Sequence, residues 1–268
     1  MPRKKSISGT HIVLASSTSP HDTGLLAELV EAYHNWTELK TVRVDVVAVG
    51  TGLAMEIAKR GDADILLTHD PDSEKEFIKE GHGVNYYDLM YDDYIIVGPD
   101  DDPAKIMKSD SAVDAFRRLD INNGAFISRG DESGTHIREK RLWRAAGIDP
   151  RSREKYISAG SGMEKTLRAA DEMSAYTLCD MATFLKIKDE LVHVMQVFSG
   201  DPDLYNQYSI MAANPARFAN THYKEALDFI SFATGDEGQN IIRKFTDKQG
   251  SLLFTPNSNR KGEVQKVA

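Results

Sequence analysis

Three loops rich in hydroxyl groups and glycine have the chemistry to bind an anion, and each lies between an apolar run and a helical pattern. The first contains four consecutive hydroxyl residues, from Ser16 to Ser19, and the second places Thr51 between two glycines. One helix cap requires one hydroxyl, so four in succession suggest a cup lined by donors. The glycines beside Thr51 would let main-chain N–H groups approach a ligand closely, although a plain turn is the alternative.

The third loop, from Ser128 to Thr135, offers a guanidinium as well as hydroxyls. Arg129 supplies a planar set of donors that suits oxyanions. Ser133 and Thr135 would add hydroxyls and main-chain N–H groups at a helix start, where the helix dipole favours negative charge. A capped helix with a surface ion pair between Arg129 and Asp131 is the alternative.

A fourth segment, Gly160 to Gly162, also precedes a helical pattern, but a plain turn explains it equally well. Ligands of open parallel sheets lie beyond the carboxyl ends of the strands, which is where the first three loops are expected. The sequence therefore predicts a ligand-binding set drawn from separate turns: Ser16, Ser17, Thr18, Thr51, Arg129, Ser133, Gly134, Thr135 and Ser161.

Other residues with chemical potential form no comparable pattern. The pairs His21-Asp22 and His69-Asp70 lack the spacing of zinc sites, so we expect surface polar roles for both. The single cysteine, Cys179, excludes an intramolecular disulfide, and we expect a small buried side chain. A hydrolase lacks support because the sequence has no Gly-x-Ser-x-Gly elbow. We predict no enzyme activity, no cofactor and no resident metal.

The composition is that of an ordinary globular chain, with 41% hydrophobic and 28% charged residues among 268. A net charge of −8 without a basic run argues against nucleic acid or anionic membrane surfaces as partners. Any bound anion must therefore be captured by local geometry. No long apolar run follows the basic start from Met1 to Ser8, so no export signal is visible. A cytoplasmic chain and an export segment removed beforehand both remain open.

Strand-like and helix-like patterns alternate along the chain, which predicts an α/β fold that places these loops at strand ends. The predicted strands are His11–Ala15, Val42–Val49, Asp64–Thr68, Tyr94–Val97, Ala125–Ser128, Ala175–Leu178, Leu191–Phe198 and Tyr208–Ala212.

Several sequence blocks in a fixed order resemble the tungstate-binding proteins of bacterial and archaeal ABC importers. The resemblance extends from about residue 12 to about residue 245. The blocks are Ala15–Ser19 with Asp22–Leu26, Val47–Gly52, Gly61–Leu67, Gly81–Asn85, Ile96–Pro99, Ser128–His136 and Ala175–Leu178.

This resemblance implies a two-lobed periplasmic-binding-protein fold, each lobe a mostly parallel sheet flanked by helices, with the anion in the cleft. Thr51, Arg129 and Thr135 fall on positions that it marks as ligand contacts. The first lobe would comprise residues 9–97 and 208–256, the second 98–207, and residues 257–268 would form a polar tail.

The implied ligand is tungstate or molybdate, and the implied partner is the permease subunit of an ABC importer. Such a protein would act as a monomer at the periplasmic or extracellular face of the membrane. Two alternatives remain open, a phosphate-binding protein of the same superfamily and an intracellular oxyanion-sensing domain. In a phosphate site a carboxylate would accept the phosphate proton, whereas Asp131 turned onto Arg129 would only hold the guanidinium.

Overall fold

Strands and helices alternate throughout residues 9–39 and 41–258, which are the residues that the computed structural model describes. The strands are β1 His11–Ser16, β2 Arg43–Ala48, β3 Ile65–Thr68, β4 Gly83–Pro99, β5 Phe126–Ser128, β6 Tyr156–Ser158, β7 Thr177–Asp180, β8 Val194–Phe198, β9 Tyr205–Ala213 and β10 Thr255–Pro256. The α-helices are α1 Thr18–Asp22, α2 Leu25–Trp36, α3 Thr51–Lys59, α4 Pro71–Lys79, α5 Ala112–Ile121, α6 Gly134–Ala146, α7 Met163–Glu172, α8 Met181–Ile187, α9 Tyr223–Thr234 and α10 Asp236–Lys244. The predicted α/β class is confirmed.

Strand β1 lies between β2 and β3 and is parallel to both of them. Its last residue, Ser16, is paired with Ala48 of β2 and with Leu67 of β3. The carboxyl ends of β1, β2 and β3 therefore lie together at one edge of the sheet. This edge is where ligands bind in parallel α/β sheets, and the hydroxyl-rich loops begin there.

The rest of the main sheet is antiparallel, because two long strands run through it. Strand β9 pairs with both β3 and β4. Strand β4 changes partners along its length, since it pairs with β9 and β10 up to Asp93 and with β7 and β8 from Tyr94 onward. Strand β1 pairs in parallel with β2 and β3, and β5 does so with β6. The main sheet is therefore mixed, not mostly parallel as the resemblance implied.

Two large hydrophobic cores pack against different parts of this sheet. One contains Leu14 of β1, Tyr33 of α2 and Phe229 of α9. The other contains Phe116 of α5 and Trp143 of α6, whose rings meet edge to face at 4.6 Å between centroids. Because Trp143 is fully buried, it fixes the direction of α6 and hence the position of that helix's N-terminus.

Several elements differ from the sequence prediction, among them the short strands β6 and β10, which were not predicted. The hydroxyl-rich loop predicted from Ser16 to Ser19 leads into the short helix α1, which begins at Thr18, and the strand predicted at Tyr94–Val97 is the end of the 17-residue β4. The first part of β4 is rich in tyrosine and acidic residues, which hide the alternating pattern of a strand. Its pairing with β9, more than a hundred residues further along the chain, could not be read locally.

The end of the described chain is hydrogen-bonded to the body of the protein. Asn257 Nδ2 donates to Gln207 Oε1 at 2.6 Å, and the Ser258 main-chain N–H donates to Gln239 Oε1 at 3.0 Å. The remainder of the predicted polar tail, residues 259–268, lies outside the described residues.

Candidate oxyanion-binding site

Ser17 is the first residue beyond β1 and is only 2% exposed. Its main-chain N–H donates to Leu67 O at 3.0 Å, and the Val49 N–H donates to Ser16 O at 2.9 Å. These bonds join the ends of three strands and hold Ser17 at their common edge. The Ser17 hydroxyl has no hydrogen-bond partner within the described residues.

Thr51 is the first residue of α3 and is fully buried, and its hydroxyl is also without a partner in the described chain. The glycines on either side allow a close approach by the third loop. A Cβ atom at Gly52 would lie 3.2 Å from Glu132 O, and one at Gly50 would lie 3.6 Å from Asp131 O. The Thr51 loop and the Arg129 loop, which are far apart in sequence, therefore touch.

Arg129 follows β5 and is 2% exposed. Its Nη2 donates to Asp131 Oδ2 at 2.6 Å, while its Nε has no partner in the described part of the chain. Burial would raise the pKa of Asp131, but the charge of Arg129 and hydrogen bonds from Ser133 outweigh it, so this pKa lies below its ordinary value. Asp131 is thus ionised at neutral pH and orients the guanidinium.

The loop after Arg129 ends at the N-terminus of α6. Ser133 caps this helix, because its Oγ accepts the His136 main-chain N–H at 3.3 Å. Thr135 is 1% exposed, and its hydroxyl has no partner among the described residues. The first turn of a helix also has free main-chain N–H groups and the positive end of the dipole. The start of α6 therefore favours negative charge.

Buried polar atoms without a partner are concentrated in these three loops. Nine such side-chain atoms occur in residues 9–39 and 41–258, and four of them belong to Ser17, Thr51, Arg129 and Thr135. A buried donor left unpaired costs about 1–3 kcal/mol, so such a cluster calls for a ligand. All four groups can donate, which fits an oxyanion.

The remaining predicted site residues have other hydrogen bonds or are partly exposed. Ser16 Oγ donates to Ser17 O at 3.0 Å. Thr18 is half-buried at the start of α1. Ser161 is also half-buried, and its Oγ lies 3.4 Å from Thr166 Oγ1. The structure thus brings together the loops of Ser17, Thr51 and Arg129 to Thr135, with Ser161 beside them through a hydrogen bond from its N–H to Arg129 O.

Ser19, the last hydroxyl of the first run, joins distant parts of the chain. Its Oγ donates to Asp180 Oδ2 at 3.0 Å, and both residues are buried. Asp180 also caps α8, because its Oδ1 accepts the Thr183 N–H at 2.9 Å. Ser19 therefore connects α1 to the start of α8 beside the site.

The predicted surface role of His69-Asp70 is wrong. These residues follow β3, and they are 6% and 2% exposed, whereas His21 is exposed as expected. Burial holds the pKa of His69 below its ordinary value, so the ring is neutral at pH 7. The sequence places this pair directly after a strand, like the Ser17 loop, but it does not reveal the distant segments that cover the pair.

Three further observations limit what this region can do. Within the described residues no three His, Cys, Asp or Glu side chains come together to hold a metal ion. No helix in that part of the chain is long and apolar enough to cross a membrane. A groove of about 710 Å³ lies beside α6, but Ser17, Thr51 and Thr135 are not among its lining residues.

The family comparison agrees with this geometry. Residues 4–237 match the family model of the PBP superfamily domain. A tungstate-binding protein, TupA of Peptoclostridium acidaminophilum, is 39% identical over 250 residues, which are 92% of this chain and 86% of that protein.

Two solved structures are also similar. The tungstate ABC transporter structure from Geobacter sulfurreducens is 40% identical, with 87% of this chain and 97% of that chain covered and a TM-score of 0.77. The structure of the tungstate-binding protein TupA of Desulfovibrio alaskensis is 34% identical, with 93% of this chain and 100% of that chain covered and a TM-score of 0.78. The chain belongs to the PBP superfamily and, within it, to the family of tungstate-binding proteins. The resemblance and the PBP-like α/β fold inferred from the sequence are confirmed.

Proposed function

We propose that this chain is a solute-binding protein that captures tungstate for an ABC importer. The observation that carries the proposal is the cluster of four unpartnered buried donors on Ser17, Thr51, Arg129 and Thr135 within the described chain. A tetrahedral dianion presents acceptors in several directions and would pair with donors from separate turns. Each hydrogen bond to a charged group contributes roughly 1.5–3 kcal/mol, so several of them support tight binding after ordering costs.

The engagement of the Asp131 carboxylate by its own loop favours tungstate over hydrogen phosphate. Tungstate has no proton at neutral pH, whereas hydrogen phosphate has one to donate. Asp131 is the carboxylate placed to receive it, but Oδ2 accepts from Arg129 and Oδ1 accepts the Ser133 N–H at 3.2 Å. Molybdate resembles tungstate in size and charge, so we expect it to bind as well. Sulfate is smaller and would leave some donors out of reach.

The nine predicted site residues remain our proposed ligand set, with different roles. Ser17, Thr51, Arg129 and Thr135 would donate from side chains and Gly134 from its main-chain N–H at the start of α6, while Ser133 would hold that helix start in place as its cap. Ser16, Thr18 and Ser161 would shape the surrounding loops, since the Ser16 hydroxyl already donates to Ser17 O.

Binding would close two lobes around the anion by hinge motion. We retain lobes of residues 9–97 with 208–256 and of residues 98–207. The crossings would lie on β4 and β9, because β4 changes partners between Asp93 and Tyr94. The touching loops and the buried side chains of Thr51 and Arg129 correspond to the closed arrangement.

In this proposal the protein performs no bond-breaking step and needs no cofactor. Its residues bind the anion, orient it and exclude water. The closed form would then dock, as a monomer, on an ABC permease at the periplasmic or extracellular face of the membrane.

Titration calorimetry with tungstate, molybdate, sulfate and phosphate tests the function, and thermal unfolding in the same anions supports it through ligand-linked stabilisation. We expect tungstate and molybdate to bind with a stoichiometry of one and to raise the unfolding temperature. Sulfate and phosphate should bind far more weakly. Preferential binding of phosphate, or no binding of tungstate, would contradict the proposal.

A further inference from the structure

Helix α6 carries part of the proposed anion site at its N-terminus and also contacts the two residues that follow β3. A Cβ atom at Gly134 would lie 2.6 Å from Cε1 and 2.7 Å from Nε2 of His69, so the helix backbone rests directly on the imidazole. Two turns further on, Arg141 Nη2 lies 2.9 Å from Asp70 Oδ1. His69 and Asp70, which are consecutive residues of the proposed first lobe, therefore both contact α6, a helix of the proposed second lobe.

Both partners of α6 are held firmly by their own surroundings. His69 Nδ1 lies 2.9 Å from Asn206 Oδ1 and 2.9 Å from the Tyr94 hydroxyl, and its ring stacks on Tyr208 at 4.8 Å between centroids. Asn206 Nδ2 donates to Asp92 Oδ1 at 2.6 Å, which leaves Oδ1 of Asn206 as the acceptor for the His69 Nδ1–H. The Nε2 edge of the ring is consequently the one turned towards Gly134.

Asp70 is fixed in a similar way. The Ser73 hydroxyl donates to Asp70 Oδ2, and the Asp70 main-chain N–H donates to Glu74 Oε1 at 3.1 Å. The side chain of Asp70 is 3% exposed, so its charge is removed from water and depends on Arg141 for compensation. Arg141 also reaches Asp72 at 3.1 Å, but that carboxylate is 73% exposed, and such a contact contributes little.

We propose that His69 and Asp70 form a seat on the first lobe that receives α6 when the cleft closes. The seat would fix Ser133, Gly134 and Thr135 at the proper distance from the anion. This inference rests on the proposed function, because it assigns a positioning role within the same binding event. Neither His69 nor Asp70 need touch the anion; they act through α6.

The seat has a steric part and an electrostatic part. The imidazole leaves room for a glycine but not for a side chain at position 134. The Arg141–Asp70 pair forms only if α6 is in register, and an unpaired Asp70 carboxylate in the closed state would be costly. Loss of either part should destabilise the closed state and accelerate release of the anion.

The electrostatic part is tested by measuring tungstate dissociation rates by stopped-flow fluorescence for the wild type, Arg141→Ala and Arg144→Ala. Arg144 lies on the same helix but is exposed, so it serves as the matched control. We expect Arg141→Ala to release tungstate at least about tenfold faster, because removing the partner of the buried Asp70 carboxylate acts mainly on dissociation. The ratio of tungstate to molybdate affinity should not change, since Arg141 does not contact the anion. Arg144→Ala should behave as the wild type.

The steric part is tested by adding a methyl group at position 134 and then removing the imidazole that it would meet. Gly134→Ala keeps the main-chain N–H but places a methyl group against His69, so we expect weaker tungstate binding. Adding His69→Ala to this variant should restore part of the lost affinity, measured by calorimetry beside His69→Ala alone. A loss caused by the anion contact itself would not be relieved in this way.

Distinct results separate the two proposals. Failure of the wild type to bind tungstate in these assays would overturn the proposed function. Wild-type binding with an unchanged dissociation rate in Arg141→Ala, or an unrelieved loss in the Gly134→Ala and His69→Ala double variant, would overturn the seat.

Discussion

Arg129 and Asp131 are joined by a hydrogen bond of 2.6 Å from Nη2 to Oδ2, and this bond leaves Arg129 Nε without a partner in the described chain. The carboxylate therefore orients the guanidinium and keeps one of its N–H groups available. A single arginine can in this way contribute a directed hydrogen bond and part of the compensating charge to a buried dianion.

Replacing Arg129 by alanine should lower tungstate affinity by at least about tenfold, since a hydrogen bond between charged groups contributes roughly 1.5–3 kcal/mol. The measurement is titration calorimetry on a variant whose folding is checked by thermal unfolding. Arg118→Ala is the matched control, because Arg118 also pairs with a nearby carboxylate, that of Asp114 four residues before it, but lies on α5. An affinity equal to that of the wild type would remove Arg129 from the site.

Neighbouring serines should respond differently to loss of their hydroxyl groups. Ser17→Ala removes a buried donor that has no partner in the described chain, whereas Ser16→Ala removes one already bonded to Ser17 O. We expect calorimetry to show a drop in tungstate affinity of about tenfold for Ser17→Ala and a clearly smaller one for Ser16→Ala. The reverse order would mean that the first loop presents a different hydroxyl to the anion.

Stability should fall with rising pH because of a buried carboxyl group behind the Arg129 loop. Glu139 of α6 accepts hydrogen bonds from Ser128 at 2.6 Å and Tyr156 at 2.8 Å, and burial raises its pKa from the ordinary 4.5 to about 7. The folded state thus holds this proton more tightly than the unfolded state. The contribution is complete below about pH 4.5 and is lost as the pH rises through about 7.

Glu139→Gln imitates the protonated carboxyl group and should flatten this part of the profile. The check is the free energy of unfolding from denaturant titrations across that pH window. Glu172→Gln, an exposed change at the end of α7, provides the control and should leave the slope unaltered. If the slope of Glu139→Gln equals that of the wild type, the carboxyl group is ionised in the folded protein and the pKa assignment fails.

The sequence predicted the parts of the site that depend on local order along the chain. The pattern of a strand, a hydroxyl-rich loop and a helix was sufficient to place Ser17, Thr51 and Thr135 in the segments that connect a strand to the next helix. The same local pattern could not tell which hydroxyl of the first run stays free. In the structure Ser16 bonds to the main chain and Ser19 to Asp180, which lies 161 residues away.

Contacts between segments far apart in sequence could not be predicted, because local patterns along the chain do not reveal them. His69 was predicted on the surface, because the chain order does not reveal that Gly134 and Tyr208 cover it. The length of β4 was missed because its partner β9 begins only at Tyr205. Burial that depends on a distant segment could therefore be identified only from the structure.

The central claim is that Ser17, Thr51, Arg129 and Thr135 surround one anion. A crystal grown with tungstate and measured at the tungsten absorption edge tests it directly, because the anomalous signal locates the metal atom independently of any assumed pose. We predict a single strong peak within hydrogen-bonding reach, through its oxygens, of all four side chains. A peak elsewhere, or contacts limited to one lobe after saturation, would contradict the account.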